Sequence, residues 1–419
     1  MSSSSGTSEE VIPSEEQSEE GAEEEDAEEE VEAESKGTSS GGGLWGGCQR
    51  LGRWFFAQVL SCGAQPKHIA FIMDGNRRFA QKKFLPRSSG HRFGYHKLMQ
   101  ALEWCLELGI TTVTVYAFSI ENFKRSQDEI DTLMRLATKK FRELLKREEL
   151  IHKHGVRVNV LGDMMLLPLE LQRVMAKAIY ATRHNTKAVL NVCFAYTSRE
   201  EMLHAMNQVA SGVNQNMLKS CDVTEQLFEK SMYMADYPDI IIRTSGEKRL
   251  SDFLLWQGNM SSTMFLEVLW PEFSPWHLYY CILCFQADYA ALSERRNQYR
   301  VLRDREQRKL DLQQLIKEEA EEMRTETKEE IEIEIEQKMI AIEEKMKLKK
   351  KEKAKEEDEN KEEEEFLLLN ERLSRFEKER EERIQRFLRH QQEQHMQYII
   401  RLVKSSGRSD DNSPSTSSS

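Results

Sequence analysis

No uncharged run of roughly 18 apolar residues occurs in the 419-residue chain, so no segment is expected to cross a bilayer as a helix. The opening residues are Ser and Glu rather than basic and then apolar, so no secretory leader is expected. Proline and glycine run out early: after Pro275 no proline follows until Pro414, and after Gly258 no glycine until Gly407. The seven cysteines (Cys48, Cys62, Cys105, Cys193, Cys221, Cys281, Cys284) are odd in number and scattered, which disfavours a disulfide framework and favours reduced thiols. Cys281 and Cys284 form a C-x-x-C inside the apolar run 279–285. No second Cys or His pair stands nearby to complete a zinc site, so core packing is the favoured role. The chain lacks G-x-x-x-x-G-K, and its matches to G-x-S-x-G (37–41) and G-x-G-x-x-G (41–46) fall in a Ser/Gly-rich stretch with no strand before them, which removes support for P-loop, dinucleotide-binding and serine-hydrolase readings.

What is present is uneven. Charged residues make up 32% and hydrophobic ones 39%, low in apolar content for one uniform globule. The net charge is −12, yet residues 1–40 hold 15 Asp/Glu against one Lys, a balance of −14, so the remainder sums to +2. The protein is an acidic tail on a near-neutral body, and nucleic acid is not a favoured partner.

Residues 1–43, rich in Glu, Ser and Gly, are expected to be a disordered acidic tail, because they carry too little apolar surface to offset ordering entropy. Residues 44–65 change abruptly: Leu44, Cys48, Leu51, Phe55 and Val59 fall at helical spacing beside Trp45, Trp54 and Phe56, with Arg50 and Arg53 as the charges. Two readings stand: a helix packed on the body or a partner, or an amphipathic helix lying at a membrane interface. From 66 to 290, short apolar runs (68–73, 111–118, 156–162, 189–195, 239–243, 263–269) alternate with amphipathic ones. Helical patterns include Leu98–Leu106 ending at Gly109, a stretch opened by Ser126-x-x-Glu129, one from Pro168 to Arg183, and one opened by Ser198-x-x-Glu201. This alternation predicts an α/β domain with a mainly parallel central sheet flanked by helices. Residues 291–404 are dominated by Glu, Lys, Arg, Gln and Leu and predict a long, charged helical or coiled-coil extension. Its seam (Ile335, Met339, Ile342, Met346, then Leu373 and Phe376) is interrupted by the runs 347–355 and up to Glu365. Most of it is therefore expected in water, and its removal is expected to leave the body folded. Residues 405–419 read as a Ser-rich disordered end.

In parallel α/β sheets, ligands sit beyond the carboxyl ends of the strands. The first strand runs into Asp74-Gly75-Asn76-Arg77-Arg78 and then a helix. A carboxylate, a flexible Gly, two guanidinium groups and free N–H groups at one strand-to-helix turn suit a diphosphate with a bridging Mg²⁺. Two further strand ends are cationic: Ser119–Arg125, and Arg243 through Arg249 to Ser251 around Gly246. Cations at three strand ends suggest two phosphorylated ligands.

The segments HIAFIMDGNRRFA, with Arg87 and Gly90-His91 following, YAFSIENFKRS, LNVCFAYTSR, IIIRTSGEKRLSDFLLWQ and LWPEF resemble, in order and spacing, the signature blocks of the cis-prenyltransferases. The likeness spans about 44–290 and is nearest to the eukaryotic catalytic subunits of the family, because Arg77 follows Asn76 where bacterial enzymes carry Gly. The resemblance implies condensation of isopentenyl diphosphate units onto farnesyl diphosphate to give a long-chain polyprenyl diphosphate for dolichol synthesis and protein glycosylation. It implies that Asp74 binds Mg²⁺, and that Asp74, Gly75, Asn76, Arg77, Arg78, Arg87 and His91 hold farnesyl diphosphate. Arg78, Arg125, Arg243, Arg249 and Ser251 would hold isopentenyl diphosphate, with Asn122, Asp74 and Arg78 acting in catalysis. Apolar residues along the sheet and its helices would form the tunnel for the growing chain.

Two departures matter. Residues 257–265 (QGNMSSTMF) contain no acid where the bacterial enzymes carry a carboxylate, and no Arg-x-Gly follows 275. The same absences mark the eukaryotic catalytic subunit, which implies a hetero-oligomer with a Nogo-B-receptor-like subunit, peripheral on the cytosolic face of the endoplasmic reticulum membrane.

Overall fold

A computed structural model describes residues 56–146, 155–323, 340 and 359–407. Six strands form one sheet: β1 (His68–Ile72), β2 (Thr112–Ser119), β3 (Val156–Leu161), β4 (Ala188–Tyr196), β5 (Ile240–Arg243) and β6 (Ser262–Phe265). Their spatial order is β3-β4-β2-β1-β5-β6, and every pairing is parallel. The helices between them are α1 (Asn76–Lys82), α2 (Arg87–Glu107), α3 (Gln127–Lys146), α4 (Leu169–Thr182), α5 (Ser198–Asn214) and α6 (Glu225–Lys230). Two long helices follow, α7 (Pro275–Met323) and α8 (Glu359–Gly407).

The central strands β1 and β5 read as unbroken apolar runs because both faces of the sheet are covered there, whereas β3 exposes Arg157 and the edge strand β6 is only part-buried. Along β1, Ile69 and Phe71 enter the large core while Ala70 and Ile72 enter a second, smaller one on the opposite face; Ile240 and Ile242 of β5 oppose Ile241 in the same way. Trp270 and Phe273 stack at 5.5 Å and press on Phe71, closing the large core beneath the start of α7. Cys281 is buried in that core, and among the described residues no cluster of His, Cys, Asp or Glu is arranged to hold a metal ion by itself.

The two helix-opening motifs fold differently from the expected capping boxes. Glu129 turns away to Arg125, 2.8 Å, and lies 3.7 Å from Arg77. At α5 the cap is Thr197, which accepts from the Glu200 N–H. Ser198 instead accepts from the Leu255 N–H, and Glu201 is fully buried, bonded by Tyr196, Gln257 and the Met234 N–H. Local spacing suggested caps; buried partners claimed Glu201, and part-exposed arginines claimed Glu129.

At the N-terminal side, only 56–65 of the expected helix 44–65 lies within the described residues. Residues 56–61 are helical, Leu60 is buried in the large core, and Phe56 meets the Trp276 ring edge-on at 5.2 Å. The larger difference is at the other end. The expected boundary at 290 falls inside the unbroken helix α7. α8 packs on α4, α5 and α7: Ile399 and Leu402 join the large core, Phe387 is fully buried with Val209, Leu218 and Leu227, and Leu373 and Phe376 cluster with Leu315. The interrupted seam misled the reading, because α8 buries its apolar face against the body rather than against a second copy of the same seam. Ile335, Met339, Ile342 and Met346 lie outside the described residues, as do 1–55 and 408–419.

Candidate active site

Because all six strands are parallel, their carboxyl ends lie on one side, and the ends of β1, β2, β4 and β5 border one cavity of about 990 Å³. Asp74, Gly75, Asn76, Arg77, Arg78, His91, Asn122, Arg125, Arg243, Arg249 and Ser251 all line it. Arg87 is the first residue of α2, and its side chain lies outside the described residues.

Asp74 is fixed by groups 170 residues away. Its backbone N–H donates to Thr244 Oγ1 (3.1 Å), and Thr244 Oγ1 donates to the Asp74 carbonyl (2.7 Å). Its Oδ1 accepts from the Gly75 N–H (2.7 Å) and its Oδ2 from Arg243 Nη2 (2.9 Å). Burial pushes the Asp74 carboxyl up, but the Arg243 bond and charge, with Ser245 and the Gly75 N–H, outweigh it and hold the group below its usual range. Gly75 is required here: its φ is +106°, and a Cβ would stand 2.9 Å from Leu269 Cδ2.

Arg243 joins the loops that follow β1 and β5. It is almost wholly buried, and besides Asp74 it donates to the Arg249 carbonyl (2.6 Å) and to Ser251 Oγ (2.7 Å). Both terminal nitrogens are thus engaged by protein groups, which makes Arg243 a brace for the loop as well as a source of positive potential. The loop it braces holds Ser245, Ser251, Asp252 and Leu254 at positive φ, strain of the kind that clusters at functional sites. Arg78 donates to Ser245 Oγ (2.6 Å) and the Ser245 carbonyl (3.2 Å), with Asp74 at 3.6 Å and Glu247 at 3.7 Å. It lies between the β1 and β5 loops.

The third cationic end, after β2, is drawn in by Glu129, which pairs with both Arg77 and Arg125. His91, beside them, is lowered to about 4 by burial first and then by the Arg125 and Arg77 charges, so its imidazole is neutral at pH 7. Asn122 Oδ1 accepts from the Ser119 N–H (2.9 Å), which leaves the amide N–H groups to offer a ligand.

Residues not expected from the sequence also line the cavity: Gln81, Tyr116, Glu121, Arg199, Glu247 and Asp252. Arg199 donates from Nε to Asp252 Oδ2 (2.7 Å) and stands 3.6 Å from Glu121. Its position at the carboxyl end of β4 was a usable signal. A second cavity, about 170 Å³ and almost entirely apolar, lies between α2, α3 and the sheet. It shares Met73, Asn76, His91, Ala117, Phe118 and Leu133 with the polar one and continues among Leu98, Ala137, Phe141 and Val192. The arrangement can hold clustered phosphates at its mouth and an apolar chain behind them.

A parallel sheet with this cation-lined cavity defines an enzyme for phosphorylated substrates with apolar tails, and the chain belongs to the cis-prenyltransferase family. Residues 72–293 match the family model described as "Putative undecaprenyl diphosphate synthase". The chain is 51% identical over 270 residues to the dehydrodolichyl diphosphate synthase complex subunit of Homo sapiens, covering 63% of this chain and 81% of that one. It is 46% identical over 221 residues to the tritrans,polycis-undecaprenyl-diphosphate synthase (geranylgeranyl-diphosphate specific) of Pyrococcus abyssi, covering 52% and 83%. The structure of lavandulyl diphosphate synthase from Lavandula x intermedia in complex with dimethylallyl diphosphate matches with a TM-score of 0.51 at 30% identity, covering 53% of this chain and 95% of that one.

Proposed function

We propose that the chain is the catalytic subunit of a cis-prenyltransferase that condenses isopentenyl diphosphate onto farnesyl diphosphate, giving a long-chain dehydrodolichyl-type diphosphate. The observation that carries this reading is the convergence of three cationic strand ends on one cavity continuous with an apolar one. Asp74, Gly75, Asn76, Arg77, Arg78, Arg87 and His91 take the farnesyl diphosphate head, with its tail directed into the apolar cavity. Arg78, Arg125, Arg243, Arg249 and Ser251 take isopentenyl diphosphate. Charge growing on the departing diphosphate is met by Arg77, Arg78 and the N–H groups opening α1. Asn122, whose oxygen is committed to the backbone, donates to a phosphate oxygen, and the proton lost from the isopentenyl unit passes to phosphate.

Asp74 fits Mg²⁺: one part-exposed carboxylate at a diphosphate site is the donor set this ion accepts, the remaining ligands being phosphate oxygens and water. When bound, the ion neutralises charge on the leaving diphosphate. The complex-subunit name of the human relative and the missing Arg-x-Gly support a hetero-oligomer with a Nogo-B-receptor-like subunit. No helix among the described residues is long and apolar enough to cross a membrane, and we place the chain peripherally on the endoplasmic reticulum. In domain terms, we assign the site to 66–290, which 44–65 precedes and 291–404 follows in the chain.

The test is incubation of the purified chain, alone and with the partner subunit, with farnesyl and labelled isopentenyl diphosphates and Mg²⁺. Long-chain labelled product is expected with the partner, and Asp74→Ala is expected to lower turnover at least a hundredfold, since metal-charge stabilisation amounts to several kcal/mol. Retention of a tenth of wild-type turnover by Asp74→Ala would remove the carboxylate from the mechanism.

A further inference from the structure

The turn joining α1 to α2 is built in a way the active site does not need. Lys83 ends α1; the Phe84 N–H donates to the Gln81 carbonyl (3.1 Å) and the Leu85 N–H to the Ala80 carbonyl (2.9 Å). These two bonds form a Schellman cap, whose left-handed position is normally glycine. Here it is Phe84, at φ 57° and 97% exposed. A bulky side chain in that conformation is strained, and its ring gains no burial in return. The strain holds an aromatic ring out in water.

Its immediate neighbours are basic: Lys82 and Lys83 directly precede it and both are exposed. Lys82, two residues before Phe84, pairs with Glu272 at 2.6 Å. Glu272 lies four residues before Trp276, at most about 14 Å of extended chain. Trp276 is half exposed and touches Phe56, and Tyr280 and Leu283 continue an exposed stripe one and two turns along α7. A ring projecting beside Lys82 and Lys83, on a turn that Lys82 ties to the Glu272 segment leading into a Trp/Tyr stripe, has the chemistry of a surface that sits at the headgroup level of an anionic bilayer.

We propose that the α1–α2 turn is a membrane-insertion finger: Phe84 enters an anionic lipid surface, Lys83 meets its headgroups, and Trp276 and Tyr280 rest at the same interface. This rests on the peripheral membrane placement proposed above and assigns it to a specific element. The proposal commits to lipid because charge and aromatic character together match an anionic interface.

The test uses the full chain, with its partner subunit, in flotation with phosphatidylcholine vesicles with and without phosphatidylserine. Binding is expected to the anionic vesicles and to fall with salt. Phe84→Gly is expected to raise the unfolding temperature, because it relieves the left-handed strain, while lowering vesicle partitioning about tenfold. Lys83→Glu is expected to lower it roughly tenfold or more, since each cation near such a surface contributes roughly a fivefold factor. Phe84→Trp is expected to retain binding. Unchanged partitioning in Phe84→Gly and Lys83→Glu overturns the proposal, and loss of partner-subunit binding in these variants would make the surface a protein contact instead. Turnover in detergent is measured in parallel: vesicle binding lost with turnover intact concerns the finger, whereas no turnover in the wild type concerns the enzyme assignment.

Discussion

At the scale of single residues, His91 reports most directly on how the cavity is charged. Burial and the neighbouring Arg125 and Arg77 lower it from 6.5 to about 4. The unfolded chain therefore binds a proton near 6.5 that the folded chain refuses until about 4. Stability contributed by His91 is complete above 6.5 and is lost as pH falls through that window. NMR titration of the imidazole is expected to give a midpoint near 4 in the free protein, moving upward when inorganic pyrophosphate neutralises the two arginines. A midpoint near 6.5 without pyrophosphate would mean that His91 is not buried beside the arginines, and no upward shift with pyrophosphate would mean that the arginines do not face it. The contiguous Asp74–Arg78 group was legible in the sequence because its chemistry is packed into one turn. The Arg243–Asp74 pair was not, since it spans 169 residues and exists only because β5 lies beside β1. Arg199 could be found only by applying the strand-end rule to β4 as well.

At the scale of elements, the strands were the easiest part to read and the helix starts the hardest. The apolar runs of the sequence overlap all six parallel strands in chain order, most cleanly at the buried β1 and β5, while the edge strand β6 is only part-buried. Helix caps depend on one or two side chains: Glu201 left its expected partner for tertiary ones, and Glu129 for Arg125 one turn before it and Arg77. The packing of α2 against the start of α1 was also hidden, because it depends on glycines that carry no pattern of their own. A Cβ on Gly90 would lie 2.3 Å from the Asn76 carbonyl oxygen, and one on Gly94 would lie 2.3 Å from Asn76 Oδ1. Both glycines thus let α2 press directly on the turn proposed to hold the starter diphosphate. Gly94→Ala is expected to push α2 outward, costing about 1–3 kcal/mol in denaturant unfolding. It is also expected to raise the apparent KM for farnesyl diphosphate more than that for isopentenyl diphosphate, because Asn76 belongs to the first site. Equal changes in the two constants would place Asn76 between the sites instead.

At the scale of the whole molecule, composition alone pointed to a charged extension standing off a compact body, and the packing of α8 reverses that expectation. Charge density suggested solvation, yet the charges on α8 are partly spent on the body: Arg383 donates to both Asp222 oxygens at 2.9 and 2.8 Å. The Asp222 side chain has no exposed surface, so removing Arg383 leaves a buried carboxylate uncompensated. Tyr398 donates to Gln172 Oε1 at 2.9 Å, and Arg173 Nε donates to Ser405 Oγ at 3.2 Å, fastening the end of α8 along α4. Phe387 fills the space that the missing side chain of Gly212 leaves open, its ring 2.5 Å from where a Cβ would stand. Deleting residues 359–419 is therefore expected to lower the unfolding temperature markedly, and Phe387→Ala alone to cost about 3–5 kcal/mol. Conservative Arg383→Lys keeps one charge but loses the paired bonds, and its cost is expected to fall between wild type and Arg383→Ala. Thermal unfolding of the four variants beside the wild type checks the series. A truncated chain that unfolds with the full-length one would mean that α8 leaves the body without penalty. Because α8 touches α4, α5 and α7 and none of its residues lines the polar cavity, the surviving folded fraction of each variant should keep its per-site turnover at low temperature. Turnover lost in proportion to α8 contacts while the fold holds would instead couple this helix to the site through α4 and α5.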